Sequence, residues 1–231
     1  MILSVHQPQY LPWLGYFHKI ARSDVFVFLD NVQYKEREFQ NRNKIRSQKG
    51  WMWLSVPVVS GTEGKQKINE VKIDNEMPWQ RKHWGSIKTA YSSSAYFKEY
   101  AAFFEETYSK KWEWFLDLNV HIISFALKEL SITTPISFES DLKITTTKTQ
   151  RIIEICKKLN ADTYLSGMGG KDYLEEKLFQ ANGITLRYQD FQHRVYRQQF
   201  MADSKDFISH LSIVDLLFNQ GPKAREILGL D

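Results

Sequence analysis

The first candidate for chemistry in this sequence is a histidine in the run HQPQYLPWLGY. His6 follows a short apolar stretch and precedes a predicted helix. A histidine in this position can donate to an anionic oxygen or transfer a proton near neutral pH, and the first turn of a helix favours negative charge. The alternative is that His6 satisfies backbone groups at a turn shaped by Pro8 and Pro12. Because its neighbours are also polar, we predict His6 as a catalytic residue. The predicted ligand contacts beside it are Gln7, Gln9 and Tyr10.

A second polar segment begins at Asp30, which ends the apolar run VFVFLD and is the other predicted catalytic residue. Residues 31–50 show no apolar period and indicate a long loop or a frayed hairpin, and long loops in compact domains are often functional. The arginine in this segment offers a planar fork of donors, and its neighbours offer amides. A solvated, charged loop is the alternative. The predicted ligand contacts here are Gln33, Asn41 and Arg42.

The third segment, SGMGGKDY at residues 166–173, is a glycine-rich turn between a predicted strand and a predicted helix. Such a turn can present backbone N–H groups to a phosphate or carboxylate, and its lysine adds positive charge. The spacings of the P-loop and of the dinucleotide-binding fingerprint are absent, so neither site is supported. Glycines that merely allow a tight turn are the alternative. The predicted ligand contacts are Ser166, Gly167, Gly170, Lys171 and Tyr173.

Two further residues have reactive side chains. His83 lies among tryptophans in PWQRKHWGSIKTAY and is a predicted contact to a sugar or nucleotide, although the packing of one apolar helix face explains its aromatic neighbours. Cys156 lies among isoleucines with no histidine near it in sequence, so we reject it as a nucleophile. The sequence contains no nucleophile elbow, no H-E-x-x-H pattern and no metal-spaced Cys/His set, so we predict no metal site.

The elements that must position these residues alternate between strands and helices. Apolar runs predict strands at 2–5 and 25–30 with a helix after Pro12 between them, and such strands are expected to be parallel. The last third of the chain returns to this pattern. Predicted there are strands at 136–140, 163–167 and 184–191, and helices at 147–161, 170–183 and 212–221.

The middle of the chain predicts strands at 51–58 and 68–74, joined by a loop at 60–67, and then helices over 78–94, 95–111 and 112–130. We therefore predict one α/β domain over residues 1–231, with a Rossmann-like, mostly parallel sheet and a helical insertion at about 78–131. Ligands of open parallel sheets bind outside the carboxyl ends of the strands. The polar segments after the first, second and late strands are thus expected at one edge.

Composition limits the class of protein. The longest apolar runs fall short of the roughly 20 residues of a spanning helix, so we expect no membrane insertion. A single cysteine fits a reducing compartment, and we expect a cytoplasmic protein. The net charge of +4 is spread among acidic residues, and no basic patch with interleaved aromatic residues emerges, which argues against nucleic acid as a partner.

The order of the motifs HQPQYLPWLGYFHKIARSDVFVFLDNVQY, NRNKI, WLSVPV, TYLSGMGGKDYL and SIVDLLFNQG resembles the WbqC-like family over nearly the whole chain. The resemblance implies a bacterial protein of surface-polysaccharide, often O-antigen, biosynthesis. It further implies an acyl or aminoacyl transferase that joins an activated group such as glycyl to an amino sugar, here carried on a nucleotide.

The start of the chain is also similar in architecture to nucleotidylyltransferases and pantothenate synthetase, which carry an H-x-G-H pattern over the nucleotide phosphates. Here Gln9 stands where that pattern has its second histidine, and His18 lies further into the helix. An ATP-dependent ligase or nucleotidylyltransferase therefore remains an alternative, with ATP as a candidate cofactor. The non-enzymatic alternative is a protein that binds a sugar nucleotide without turnover.

Overall fold

The computed structural model describes residues 1–59 and 66–230. These residues form two compact units. The first unit comprises Met1–Pro8, Gly15–Val32 and Ile132–Gln192, and the second comprises the described parts of Gln9–Leu14, Gln33–Ser131 and His193–Asp231. In chain order, the elements are β1 (Ile2–His6), α1 (Leu14–Ala21), β2 (Val25–Phe28), β3 (Arg42–Ser47), β4 (Gly50–Ser55), α2 (Trp79–Tyr91), α3 (Phe97–Ser109), α4 (Phe115–Glu129), β5 (Ile136–Phe138), α5 (Lys148–Lys158), β6 (Thr163–Ser166), α6 (Glu176–Ala181), β7 (Thr185–Tyr188), α7 (Ile213–Gln220) and α8 (Ala224–Ile227).

Parallel pairing builds the sheet of the first unit, in which the strand order is β5-β2-β1-β6-β7. β1 pairs with β2 in a register that runs from Leu3 opposite Val25 to His6 opposite Phe28. On its other side β1 pairs with β6, and the β2–β5 and β6–β7 pairs are parallel as well. The predicted α/β class with a Rossmann-like parallel sheet is confirmed.

The apolar core of the first unit explains why its central strands are nearly continuous hydrophobic runs. Leu3, Val5 and Val27 are buried in one cluster with the isoleucines of α5. A parallel sheet that is covered by helices needs apolar side chains at successive positions, and the runs ILSV and VFVF supply them. Cys156 belongs to the same cluster, and burial raises the pKa of its thiol to about 12. This thiol is therefore an unreactive core side chain, as the sequence predicts.

A β-hairpin belongs to the second unit. β3 and β4 pair from Arg42 opposite Ser55 to Ser47 opposite Gly50. The sequence indicates either a long loop or a frayed hairpin for residues 31–50. In the structure the second half of this segment belongs to a hairpin, and the pairing of its two strands is regular. Asn43 and Ile45 are buried and alternate with the basic residues Arg42, Lys44 and Arg46, of which Arg46 is buried as well. The charge of these three residues hides the two-residue period from the sequence.

The strand predicted at residues 68–74 is wrong. Ile68–Glu70 is a short 3-10 helix, and beyond it only isolated bridges form, between Val58 and Ile73 and between Lys72 and Trp114. Apolar residues at 68, 71 and 73 are buried without a ladder, and their spacing resembles that of a strand. The loop predicted at residues 60–67 lies largely outside the described residues, since the structure describes only 66 and 67 of it.

The three helices predicted between residues 78 and 130 are confirmed as α2, α3 and α4. Each buries one face, which for α2 includes Trp84, Ile87 and Tyr91. Within residues 1–59 and 66–230, no helix combines the length and the apolar character needed to cross a membrane. That α2, α3 and α4 form an insertion in a single domain stays a prediction.

A buried carboxylate ties α7 to α2 in the second unit. Asp215 accepts hydrogen bonds from the hydroxyl of Tyr91 at 3.0 Å and from that of Tyr196 at 2.7 Å. The Tyr91 oxygen in turn accepts from the backbone N–H of Arg46 at 2.9 Å. Burial raises the pKa of Asp215 to about 6, and the tyrosine hydrogen bonds oppose that rise. The carboxylate therefore organises three elements through a fully buried polar network.

Replacing Asp215 with alanine is expected to lower the free energy of unfolding by about 2–5 kcal/mol, because two buried hydroxyls lose their acceptor. Tyr196→Phe removes one donor and leaves the carboxylate its bond from Tyr91, so we expect a loss of about 1 kcal/mol. Urea denaturation of both variants measures the difference. Equal losses would contradict the role assigned to the carboxylate.

Candidate functional site

A cavity of about 190 Å³ lies at the carboxyl ends of β1 and β6 in the first unit. This is the edge at which open parallel sheets bind ligands. Residues from two of the sequence-predicted segments meet here. Those that line the cavity are His6, Gln7, Ser166, Gly167, Gly170 and Tyr173.

His6 is a neutral side chain in the wall of this cavity. Its Nδ1 lies 3.1 Å from the carbonyl oxygen of Gln7. Because a carbonyl can only accept, Nδ1 carries the proton and Nε2 keeps its lone pair. Burial, and to a smaller extent the charge of Lys19, lower the pKa of His6 to about 3, against the hydrogen bond to Gln7, which raises it. His6 can thus accept a hydrogen bond through Nε2, but it does not titrate near neutral pH as the sequence suggests.

Lys19 is a lining residue of the cavity that is not among the sequence-predicted contacts. It lies on α1 with 3% of its surface exposed, and its Nζ donates to the carbonyl oxygen of Val5 at 3.1 Å. Burial lowers the pKa of Lys19 to about 7, so its amine is partly neutral at neutral pH. Its only sequence signal is a lysine inside the apolar run GYFHKIA, which is equally typical of a surface lysine whose stem packs on the protein.

The glycine-rich turn after β6 is shaped by a close approach between two of its residues. It forms a 3-10 helix over Met168–Asp172, and α6 begins only at Glu176, so the predicted helix 170–183 is two shorter ones. Gly170 packs directly on the Oγ of Ser166 and on Leu174, and a Cβ at position 170 would overlap both side chains. The N–H of Gly170 donates to the carbonyl of Gly167 at 2.9 Å, which uses one of the N–H groups expected to meet an anion.

Tyr173 and Lys171, the other two predicted ligand contacts of this turn, differ in that only Tyr173 is among the residues that line the cavity. Tyr173 is 66% exposed and lines the cavity. Lys171 is exposed, and its Nζ lies 5.1 Å from the centre of the Tyr188 ring, a cation–π contact. In the structure the ammonium group of Lys171 therefore contacts the Tyr188 ring. The predicted contact of Lys171 with an anionic ligand stays a prediction.

In the first unit, the carboxylate of Asp30 holds a neighbouring segment of the chain through hydrogen bonds. Its two carboxylate oxygens accept hydrogen bonds from Ser140, one from the backbone N–H at 3.0 Å and one from the hydroxyl at 2.6 Å. The side chain is buried and holds the 3-10 helix Glu139–Leu142. Asp30 is not among the residues that line the cavity, and its predicted catalytic role stays a prediction.

In the second unit, Tyr10 and His83 form one buried network. The Tyr10 hydroxyl lies 2.8 Å from Nδ1 of His83 and also bonds the hydroxyl of Tyr108. Burial lowers the pKa of His83 to about 4, against a hydrogen bond to the backbone of Ser55 that raises it. Because the Ser55 carbonyl can only accept, the neutral ring donates there and its Nδ1 accepts from Tyr10. His83 is thus a fixed, uncharged polar group.

Four other residues of the second unit are sequence-predicted ligand contacts, and two of them, Asn41 and Arg42, contact residues of the hairpin region. Asn41 donates to the carbonyl of Val56 at 3.0 Å, and the guanidinium of Arg42 lies 4.4 Å above the Trp53 ring. Gln33 is exposed and forms an isolated bridge with Lys67. Gln9 is buried, and its Oε1 has no hydrogen-bond partner among the residues that the structure describes. These positions fit packing and hairpin formation, and their contact with a ligand stays a prediction.

A second concavity belongs to the second unit alone. A cleft of about 1060 Å³ lies between the β3–β4 hairpin and α2, and His83 is the sequence-predicted residue that lines it. Basic and aromatic side chains that the sequence analysis leaves aside form much of its wall, among them Arg46, Trp53, Arg81 and Phe200.

Comparison with known proteins gives two matches that cover nearly the whole chain. A family model described as the WbqC-like protein family matches residues 7–227. A protein of Mycobacterium tuberculosis, described as uncharacterized protein Rv1507c, is 32% identical over 228 residues, which is 98% of this chain and 96% of that protein. No solved structure gives a significant match.

Gly170→Ala is expected to lower the free energy of unfolding by about 1–3 kcal/mol, because the added methyl group must displace Ser166 and Leu174. Gly169→Ala is the matched control, since a Cβ at position 169 would meet no atom of the described residues within 4 Å, apart from its own chain neighbours. We expect that control to change stability by less than about 0.5 kcal/mol. Urea denaturation compares the two, and an equally stable Gly170→Ala protein would contradict the close approach.

Proposed function

The chain belongs to the WbqC-like protein family, and we propose that it is a transferase of surface-polysaccharide biosynthesis. In this proposal it forms an amide between an activated acyl or aminoacyl group, such as glycyl, and the amine of an amino sugar nucleotide. The proposed place of the reaction is the cytoplasm, since a single buried cysteine requires no oxidising compartment.

The observation that carries the proposal is the small polar cavity at the edge of the parallel sheet. At about 190 Å³ it is smaller than the roughly 300–1,000 Å³ of pockets that bury drug-sized ligands. A glycyl or similarly small acyl group fits this volume, whereas an adenylate does not. The cavity brings the amine of Lys19 together with the imidazole of His6, so the chemistry needed for proton transfer is next to a space for a small acyl group.

The pKa values decide which of these two groups accepts the proton. An amine attacks a carbonyl carbon only in its neutral form, and it must lose one proton as the C–N bond forms. The pKa of Lys19, about 7, is close to the working pH, whereas the pKa of His6, about 3, makes His6 a weak base. We therefore assign proton acceptance to the neutral Nζ of Lys19 and a hydrogen bond from the amine to Nε2 of His6.

In the proposed step, the nitrogen of the amino sugar attacks the acyl carbon and a C–N bond forms. The bond between that carbon and the leaving group of the activated donor breaks, and the leaving group departs with the electron pair. The proton released from nitrogen passes to Lys19 Nζ. Orienting the amine and the acyl group in one small cavity supplies the proximity that such a bimolecular reaction needs.

The test is to incubate the protein with UDP-, dTDP- and GDP-linked amino sugars and activated acyl donors, including glycyl donors, and to search by mass spectrometry for the mass gain of an amide. Parallel reactions with and without ATP separate transfer from an activated donor from ATP-dependent ligation. Amide formation without ATP supports the proposal. Absence of product with every donor and acceptor, with or without ATP, would refute it.

Lys19→Met is expected to lower kcat/KM for amide formation by about 100-fold or more, because the proton acceptor is lost. In the native protein, kcat/KM should rise with pH through about 7, as Lys19 loses its proton, and then level off. The variant should lack this rise while it keeps any inflection that belongs to the acceptor amine. Lys177→Met, at an exposed position of α6, is the control with the same change of charge. A pH profile unchanged in Lys19→Met would contradict the assignment.

A further inference from the structure

The large cleft of the second unit has the size of a nucleotide site. Its volume of about 1060 Å³ is at the upper end of the range for ligand pockets. The proposed acceptor is a sugar nucleotide, and its nucleoside diphosphate is too large for a cavity of about 190 Å³. The cleft, by contrast, has the volume that a nucleoside diphosphate needs.

The charge of the cleft favours an anion. Arg46, Arg81 and Lys82 line it, and none of its lining residues within the described part of the chain is Asp or Glu. Arg46 is 5% exposed, and its Nε donates to the carbonyl of Gln199 at 2.8 Å, so its guanidinium is held in place. Positive groups in a concave, partly apolar wall attract an anion more strongly than the same groups on an open surface. A diphosphate is an anion that a pair of adjacent cations such as Arg81 and Lys82 can bind.

The apolar wall of the cleft favours a planar ring beside that anion. Trp53 and Phe200 line it together with Met52. Phe200 is 44% exposed, and its backbone φ is +62°, in the left-handed region that bulky residues rarely occupy. Exposed aromatic side chains give nucleobases a surface on which to stack, worth about 1–3 kcal/mol per base. Strained backbone of this kind is often found where a side chain must be presented to a ligand.

Part of the polar lining of the cleft is uncharged. His83 lines the cleft as a neutral group, and because its ring nitrogens already bond Tyr10 and the Ser55 backbone, it forms part of the wall rather than a contact to the ligand. A nucleobase or ribose has neutral donors and acceptors, and the uncharged side chains of Ser47, Gln48 and Ser86, which also line the cleft, suit such groups. The cleft thus combines an uncharged polar group, an aromatic wall and a pair of cations, which are the three components that a nucleoside diphosphate requires.

We propose that this cleft binds the nucleoside diphosphate of a sugar nucleotide, with the phosphates at Arg81 and Lys82 and the base against Phe200. The identity of the ligand as a sugar nucleotide rests on the proposed function. The cleft itself is a binding site whose occupancy is measured without any acyl donor.

The test is calorimetric titration of the full chain with UDP, dTDP and GDP at one low ionic strength, with inorganic pyrophosphate and the free nucleosides as reference ligands. The double variant Arg81→Gln, Lys82→Gln should weaken binding of the preferred diphosphate at least tenfold. Lys88→Gln is the matched control, because Lys88 is an exposed lysine on the same helix and does not line the cleft; it should change affinity less than twofold. Phe200→Leu should weaken binding of the nucleoside diphosphate while it leaves pyrophosphate unaffected.

Several results would overturn this inference. It fails if none of the nucleoside diphosphates binds more tightly than pyrophosphate, or if Lys88→Gln weakens binding as much as the double variant. Unchanged amide formation and unchanged KM for the sugar nucleotide in the double variant would also refute the cleft while leaving the transferase proposal intact. Conversely, diphosphate binding that is lost in the double variant, in a protein that forms no amide in any assay, would support the cleft and refute the transferase proposal.

Discussion

The parallel pairing of β1 with a strand on each side is the constraint on which the small cavity depends. β1 lies between β2 and β6 in the sheet, and pairing in one direction brings the carboxyl ends of all three to the same edge. The residue that ends β1 and the turn that follows β6 therefore meet, although about 160 residues separate them in the sequence. Hydrophobic packing of α5 against these strands fixes the pairing, because a shift in register would move buried side chains out of the core.

The parallel pairing of β1 explains how much of the candidate site could be predicted from the sequence. The apolar runs at β1, β2 and β6 predict parallel strands, and the polar residues that end them then predict which segments share an edge. His6, Gln7 and the glycine-rich turn are found together for that reason. The order of the strands does not predict the direction in which an individual side chain points. Asp30 follows a predicted strand as His6 does, yet its oxygens are taken by Ser140, a contact across 110 residues that no local pattern announces.

Burial explains which other properties of the candidate site could not be predicted from the sequence. Lys19 and His6 have ordinary side chains, and the chemistry proposed for them arises from the loss of water around them rather than from residue type. The hairpin shows the same limitation in a different form. Its basic residues follow a strand period, but their charge makes the segment similar to a solvated loop until the buried positions Asn43 and Ile45 are known. Likewise, the cations of the large cleft come from a hairpin and a helix that are distant in sequence, so only the fold assembles them.

The contact between Ser166 and Gly170 has a consequence for which substitutions this turn of the chain can accept together. A side chain at position 170 has no room while a serine occupies position 166, because its Cβ would overlap the serine hydroxyl. A substitution at 170 therefore requires Ser166 and Leu174 to shift or to become smaller, so its effect depends on which residues occupy those two positions. Since Ser166 and Gly170 both line the cavity, a compensating pair of substitutions at these positions would also reshape its wall.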